Sequence, residues 1–191
     1  VILLRPQQWL KNLFVLAPAF FAGSFLIADV LRDSLLTFII FSAAASTVYI
    51  FNDWIDRQVD SKHPEKRTRP IASGKISGKI ALFTGLLTLL MSILIGLSFL
   101  NFEVMAITGS YLVLNLVYTL ILKNIAILDV SCIATGFVLR LFAGSEATGI
   151  ELSSWIITLT FLLALFLALA KRRDDVCLLY TSDAADEAWG G

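Results

Sequence analysis

The sequence predicts an all-α protein, a polytopic transmembrane helix bundle. Hydrophobic residues make up 58% of its 191 residues and charged residues only 16%, with a mean hydropathy of +0.83. A soluble domain of this length has too little interior to bury so much apolar surface. Several apolar stretches are also long enough to cross about 30 Å of hydrocarbon. We therefore expect an integral membrane protein that contacts the lipid bilayer and binds no nucleic acid.

The apolar stretches predict about six membrane-spanning helices. They cover residues 10–28, 35–51, 80–100, 102–122, 128–147 and 152–170. The connection around Asn101 is so short that the third and fourth helices should form an antiparallel hairpin. Four glycines within the spans are expected to permit close helix packing rather than to bind a ligand. They are Gly96, Gly109, Gly136 and Gly144.

The distribution of basic residues predicts the orientation of the helices. With the N-terminus in the cytoplasm, thirteen of the fifteen Lys and Arg residues fall on the cytoplasmic side. Membrane proteins prefer this arrangement. The opposite side then keeps only Arg32, and Arg140 lies within a span. We expect a multi-pass plasma-membrane protein whose N-terminus and candidate active site face the cytoplasm.

Three carboxylates stand at the cytoplasmic end of the second span. Asp53, Asp56 and Asp60 are spaced i, i+3, i+7, so on a helix they share one face within roughly 60°. Crowded anions at the edge of hydrocarbon repel one another and resist desolvation. A divalent cation would compensate them, and carboxylates with open coordination positions suit Mg²⁺ shared with substrate phosphates. The three aspartates are therefore predicted as metal ligands and catalytic residues.

A basic loop, residues 57–79, follows the three aspartates directly. Basic segments at a membrane surface often anchor the protein to anionic lipid. The position of this loop beside a predicted metal site favours binding of a polyphosphate instead. The candidate phosphate-binding residues in it are Arg57, Lys66, Arg67 and Arg69.

A guanidinium deep inside a span is costly unless it faces protein or water. Arg140 occupies such a position. Two interpretations stand side by side, contact with the substrate and pairing with an internal carboxylate or helix carbonyl groups. Asp129, near the cytoplasmic end of the same span, is predicted to lie at the rim of the site.

Further polar residues lie near the cytoplasmic ends of other spans. Gln8 and Lys11 could reach a cavity from the first helix. Asn52 could orient a carboxylate, donate to a phosphate or only hydrogen-bond at a helix end. Tyr118 and Lys123 close the fourth span, where a tyrosine is either an interfacial anchor or a substrate contact.

Two motifs in residues 52–74 are similar to those of a known family. Asn52-Asp53-x-x-Asp56-x-x-x-Asp60, followed by Lys66-Arg67-x-Arg69-Pro70-Ile71-Ala72-Ser73-Gly74, resembles the UbiA superfamily of intramembrane prenyltransferases. Further segments resemble its decaprenyl-phosphate phosphoribosyltransferase subgroup. These segments are Arg5-Pro6-x-Gln8-Trp9-x-Lys11-Asn12, Tyr118-x-x-x-x-Lys123 with Asp129, Gly136-Phe137-Val138-Leu139-Arg140, and Ala168-Leu169-Ala170-Lys171-Arg172-Arg173.

The resemblance implies a bundle of nine helices around a cavity open to the cytoplasm and to lipid. This chain would supply about six, as an incomplete UbiA-like domain over residues 1–176, with residues 177–191 a non-native or disordered tail. Members that prenylate aromatic acceptors carry a second aspartate-rich motif after the sixth helix. Here Lys171, Arg172 and Asp175 occupy that place, and such a cationic cluster suits a phosphate group better than a second metal.

The function implied by this resemblance is Mg²⁺-dependent transfer of 5-phosphoribosyl from soluble phosphoribosyl diphosphate to a polyprenyl phosphate lipid, with release of pyrophosphate. The alternative is a UbiA-type prenyltransferase that moves a prenyl group from a prenyl diphosphate to an aromatic or other small acceptor. A transporter is disfavoured because nearly all charges lie on one side of the membrane. The oligomeric state is left open.

Overall fold

The computed structural model describes residues 2–64 and 66–189, and the side chains of these residues except Ile2, Asn124, Ala126 and 174–189. This part of the chain is helical, as predicted. After a short helix α1, five long helices follow, each long and apolar enough to cross a bilayer. The helices are α1 (Ala17–Phe21), α2 (Ala28–Asp60), α3 (Gly78–Phe99), α4 (Phe102–Leu120), α5 (Ala126–Thr148) and α6 (Ser154–Trp189).

The first predicted span, 10–28, is not one continuous α-helix. A 3-10 helix, Pro6–Leu16, precedes α1. A continuous helix would place Pro18 in its interior, where the ring clashes with the preceding turn. Starting a new helix at Ala17 puts Pro18 in the first turn, where proline is tolerated. The eleven residues of the 3-10 helix and the five of α1 together rise about 30 Å, close to the thickness of the hydrocarbon core.

A repeat of three residues explains the 3-10 geometry of Pro6–Leu16. Asn12 and Val15 are fully buried, and Trp9 donates from Nε1 to the hydroxyl of Ser46 on α2 at 3.0 Å. A 3-10 helix has three residues per turn, so Trp9, Asn12 and Val15 lie on one line along it. This line faces the rest of the bundle.

Hydroxyl groups join α2 to α3, its chief packing partner among these helices. Thr47 Oγ1 lies 3.2 Å from the carbonyl oxygen of Gly85 and 3.1 Å from Thr88 Oγ1. Ser92 Oγ donates to the carbonyl oxygen of Ile40 at 3.0 Å. Small hydroxyl-bearing residues allow membrane helices to approach closely and to hydrogen-bond across the interface. The 33 residues of α2 rise about 50 Å, so the helix extends well beyond the predicted span 35–51.

The expected short connection between α3 and α4 consists of two residues, Leu100 and Asn101. However, α4 packs chiefly on α5 rather than on α3. Asn101 caps α4, because its side-chain oxygen accepts the amide hydrogen of Val104 at 3.1 Å. Its side-chain amide donates to the carbonyl oxygen of Glu146 on α5, also at 3.1 Å. The connection is thereby tied to α5.

One buried apolar cluster lies where the Pro6–Leu16 helix, α2, α4 and α5 meet. It consists of Val15, Phe41, Ala45, Tyr111 and Ala143. In contrast, the outward faces of α3 and α6 expose many large apolar side chains. Helices that face lipid present such surfaces, since no water is there to penalise them.

The expectation of close packing holds for three of the four glycines. A Cβ placed on Gly144 would overlap the carbonyl oxygen of Val15, and one on Gly96 would overlap a methionine side chain. A Cβ on Gly136 would be in van der Waals contact with its neighbours, whereas Gly109 has open space around it. Gly144 therefore lets α5 touch the backbone of the N-terminal 3-10 helix.

We predict that Gly144→Ala destabilises the fold by about 1–3 kcal/mol, because the added methyl group must push a backbone carbonyl away. Gly109→Ala is the matched control. It should leave stability unchanged or raise it by up to about 1 kcal/mol, since alanine is the better helix former and nothing obstructs it. Thermal unfolding of the detergent-solubilised variants measures both. Equal midpoints for the two variants would contradict the close approach at Gly144.

Candidate active site

The three predicted aspartates lie in the last turns of α2, at the end of the bundle that also carries the loop 61–77. Asp53 and Asp60 are 5% and 4% exposed, and Asp56 is half-buried. Asp53 and Asp60 share one partner, Arg69, whereas Asp56 pairs with Lys123. Among the described residues, no three His, Cys, Asp or Glu side chains group together as a metal site.

Cations of the chain itself neutralise these carboxylates. A divalent cation was expected to compensate them, and the described chain also supplies positive charges of its own. Arg5, Arg69 and Lys123 supply three positive charges against the three negative ones. Low local dielectric strengthens such pairs, so these cations offset part of the cost of burying the carboxylates.

Arg5 forms a two-point contact with Asp53. Its Nη2 lies 2.7 Å from Oδ1 and 2.5 Å from Oδ2 of Asp53, and its guanidinium stands 5.9 Å from the ring centroid of Tyr49. The backbone of Arg5 is left-handed, with φ 48° and ψ 61°. It is the one non-glycine residue in the described chain with positive φ. Such a conformation costs about 1–3 kcal/mol, and the following Pro6 restricts Arg5 further.

Hydrogen bonds on both sides of Arg5 hold it in this conformation. Ser46, fully buried on α2, places its hydroxyl 2.9 Å from the carbonyl oxygen of Leu4 and accepts from Trp9 Nε1. The backbone amide of Gln8 donates to the backbone carbonyl oxygen of Arg5 at 2.8 Å. The segment before and after Arg5 is thus fixed to one point of α2, and the guanidinium is directed at Asp53.

Arg69 bridges two of the aspartates from the loop that follows α2. Its Nη1 lies 3.1 Å from Oδ1 of Asp53 and 2.7 Å from Oδ2 of Asp60. The loop is held against the bundle by Ile71, which is buried in a cluster with Ile50 of α2. Because this anchor is two residues from Arg69, the guanidinium stays above the end of α2.

Two further ion pairs complete this end of the bundle. Lys123, in the turn between α4 and α5, donates from Nζ to Oδ1 of Asp56 at 2.6 Å. Asp129 of α5 accepts from the Tyr118 hydroxyl at 2.9 Å and pairs through its other oxygen with Arg172 of α6. These contacts bring together α2, α4, α5 and α6 at one end of the bundle.

Arg140 lies in a separate, fully protein-lined site. It is 4% exposed and donates to Asn12 Oδ1 at 2.8 Å, to the Gly136 carbonyl oxygen at 2.6 Å and to the Tyr111 hydroxyl at 3.1 Å. Three aromatic rings surround the guanidinium, with centroids 4.9–5.5 Å from Cζ. Of the two sequence-based interpretations, the structure shows pairing within the protein, with an amide and a helix carbonyl in place of a carboxylate.

Among the residues whose side chains are described, the remaining predicted ones form no hydrogen bond or ion pair with the three aspartates. Arg57 donates to the carbonyl oxygen of Trp54 at 2.6 Å and stacks on its ring. The side chain of Asp175 and the predicted boundary at residue 177 lie outside the part whose side chains are described. The other predicted residues are spread over this end of the bundle. Gln8 and Asn52 are half-buried, and the exposed ones are Lys11, Lys66, Arg67 and Lys171.

The model of the UbiA prenyltransferase family matches residues 13–176. The chain belongs to this family. This membership agrees with the resemblance of residues 52–74.

Among curated proteins, the chain is 37% identical over 180 residues to a decaprenyl-phosphate phosphoribosyltransferase from Corynebacterium glutamicum. The alignment covers 92% of this chain and 54% of that protein. An equally named protein from Mycobacterium tuberculosis is 34% identical, with 95% and 61% covered. The nodulation protein NoeC of Azorhizobium caulinodans is 31% identical, with 95% and 59% covered. The chain thus spans little more than half the length of these relatives.

Among solved structures, a UbiA homologue from Archaeoglobus fulgidus bound to DMAPP and Mg²⁺ has a TM-score of 0.71 at 23% identity. The same homologue bound to GPP and Mg²⁺ gives the same TM-score at 24% identity. Each superposition covers 86% of this chain and 59% of that protein. The fold of this chain is therefore the UbiA-type helix bundle.

Arg5 is the residue of this UbiA-family site that sequence reasoning missed. It begins the N-terminal motif that carried the resemblance, but its pairing with Asp53 spans 48 positions. The one available signal was a basic residue before a proline at the start of a membrane span, which is also an ordinary cytoplasmic flank.

We predict that Arg140→Met lowers the free energy of unfolding by about 1–3 kcal/mol, because it leaves the buried Asn12 carbonyl without its donor. Lys123→Met, which breaks a partly exposed ion pair, should cost at most about 1 kcal/mol. Tryptophan fluorescence during thermal unfolding in detergent compares the two. An Arg140→Met variant no less stable than Lys123→Met would contradict a structural role for Arg140.

Proposed function

We propose that this UbiA-family chain is part of a membrane-embedded transferase. Its reaction moves 5-phosphoribosyl from phosphoribosyl diphosphate to a polyprenyl phosphate lipid and releases pyrophosphate. The observation that carries the proposal is the alternation of carboxylates and cations at one end of the bundle, where Asp53, Asp56 and Asp60 lie among Arg5, Arg69 and Lys123. The names of relatives at 34–37% identity support the choice of phosphoribosyl.

The chemistry of the donor set fits Mg²⁺. Asp53, Asp56 and Asp60 offer only carboxylate oxygens, the ligands that this hard cation prefers, and they lie within two turns of one helix. Their present partners are the cations Arg5, Arg69 and Lys123, some of which a divalent ion would displace from the carboxylates. Once bound, the metal would supply neutralisation of the charge that develops on the leaving diphosphate.

The basic residues would bind and orient the donor. Arg69 already stands above the acidic end of α2, and a guanidinium matches two phosphate oxygens at once. Lys66 and Arg67 lie in the same loop and are exposed, so a soluble diphosphate can reach them. The electrostatic attraction of these groups to the diphosphate would increase as negative charge moves onto it during cleavage of the C1–O bond.

The acceptor would bind between the start of α5 and the middle of α6. Arg172 and Asp129 pair there beside Tyr118, and Lys171 is exposed next to them. The attacking group is a lipid phosphate oxygen, already anionic at neutral pH, so the protein must orient it rather than remove a proton. Its new bond to C1 of the ribose forms as the bond from C1 to the diphosphate oxygen breaks.

Prenyl transfer is the second candidate function. It is favoured by the solved UbiA homologue, which binds DMAPP or GPP together with Mg²⁺. Both reactions would use the same aspartates and release the same pyrophosphate. The basic segment in the middle of α6, with Lys171, Arg172 and Arg173, favours a phosphate-bearing acceptor over a second metal site.

The active site and the N-terminus would face the cytoplasm. Nearly all Lys and Arg residues lie at the end of the bundle with the aspartates, which supports an active site and an N-terminus in the cytoplasm. A soluble, multiply charged donor is available on that side without crossing the membrane. Residues 1–176 would form the UbiA-like domain, and 177–191 a tail into which α6 continues as far as Trp189.

Radiolabelled phosphoribosyl diphosphate tests the proposed reaction. Membranes that contain the protein should transfer label into a lipid fraction when polyprenyl phosphate and Mg²⁺ are added, and mass spectrometry should find a polyprenyl-phosphoryl-phosphoribose. Label transfer from a prenyl diphosphate to a small acceptor, with none from phosphoribosyl diphosphate, would select the second candidate instead.

We predict that Asp56→Asn lowers the rate of transfer at least about 100-fold. Mutation of a residue that only hydrogen-bonds to a metal ligand already lowers metal affinity or activity about 10–100-fold. Asp29→Asn is the matched control, because Asp29 begins the same helix at the opposite end and pairs with an exposed arginine. It should keep the parent rate. Equal loss of rate in both variants would indicate damage to α2 rather than loss of a metal ligand.

A further inference from the structure

Arg5 and Arg69 cover the two most buried carboxylates of the site. The side chains of Asp53 and Asp60 are 6% and 5% exposed, whereas those of the arginines that pair with them are 24% and 26% exposed. A cation arriving from solvent therefore meets the guanidinium groups first. It competes with Arg5 for Asp53, because Arg5 engages both oxygens of that carboxylate.

The charge balance of the site makes this arrangement selective. Three carboxylates and three cations give a neutral ligand-free site. A divalent cation alone would add two uncompensated positive charges beside Arg5 and Arg69, which like-charge repulsion disfavours. A cation that arrives with a diphosphate brings its own negative charge, and the released guanidinium groups can then bind the phosphate oxygens.

We propose that Arg5 is a built-in counter-ion of Asp53 that transfers to a phosphate oxygen of the donor when a divalent cation takes its place on the carboxylate. This role rests on the proposed function, because it needs a diphosphate in the site. Arg5 thereby makes binding of metal and diphosphate mutually dependent. Neither component binds well alone, and no bond is made or broken in the exchange.

The backbone around Arg5 is built for this role. Its left-handed conformation is fixed by Ser46, which anchors Leu4 and Trp9 on either side. The α-carbon therefore stays in place while the long side chain is free to turn. The guanidinium rests on the face of Tyr49, one turn before Asp53, and this aromatic face offers a surface along which it can shift.

The test measures binding rather than turnover. Mn²⁺ is used as a divalent cation that electron paramagnetic resonance detects, and pyrophosphate as the anion, with purified protein in lipid nanodiscs. Arg5→Gln should bind Mn²⁺ alone about tenfold more tightly, because a competing cation is removed. The same variant should bind pyrophosphate in the presence of Mn²⁺ about tenfold more weakly, because a charge-assisted hydrogen bond is lost. Arg32→Gln, which removes an exposed arginine paired with Asp29 and Asp33, should match the parent in both.

Opposite signs of the two changes distinguish this role from simpler ones. Weaker binding of both ligands, or no change in either, would overturn the proposal, as would tighter binding of both, which means that Arg5 never reaches the phosphate. Arg5→Lys retains the charge and tests the same point if Arg5→Gln does not fold. It should bind Mn²⁺ alone within about threefold of the parent, and tenfold tighter Mn²⁺ binding by this variant would overturn the role of the charge. These results do not depend on which group is transferred, so they remain valid if the phosphoribosyl assignment fails.

Discussion

Pairing of the α2 carboxylates with cations from distant parts of the chain is the constraint on which this end of the bundle depends. Asp53 and Asp60 are nearly inaccessible to solvent, and an uncompensated carboxylate in such surroundings costs several kcal/mol. Each compensating cation comes from a different element, namely the N-terminal segment, the loop after α2 and the turn after α4. Folding of the acidic helix end therefore requires that these three elements arrive together.

The same charges connect folding with function. Removal of one partner of a buried ion pair is strongly destabilising because it leaves an uncompensated charge, whereas exchange of one cation for another leaves the charge balance intact. A site that accepts metal and diphosphate together, as proposed, would gain from such exchangeable pairs. The ligands would then replace existing contacts instead of creating charge in a dry interior.

The sequence was sufficient for most of the fold and for part of the site. Apolar length and charge asymmetry predicted α3, α4 and α5 to within two residues at each end, because hydrophobic thickness sets helix length directly. The first span failed because its inward line of Trp9, Asn12 and Val15 repeats every three residues, a period that an apolar-length criterion does not detect. The aspartates were found through their spacing on one helix. The cationic partners of the aspartates were not predicted. Asp56, for example, pairs with Lys123, 67 positions away in the sequence, and no local sequence pattern indicates such a contact.

The N-terminal 3-10 helix links the buried network of Arg140 to the charged end of the bundle. Asn12 accepts from Arg140 and donates to Ser42 on α2 at 2.9 Å, so one side chain ties α5, the 3-10 helix and α2 together. Asn12 is seven residues from Arg5, about 14 Å along a helix that rises about 2.0 Å per residue. Because Asn12 is fixed by fully buried hydrogen bonds, the position of Arg5 is set from the core and not from the surface. Arg140, which is buried without a carboxylate partner, thus anchors the N-terminal segment that carries Arg5, the counter-ion of Asp53.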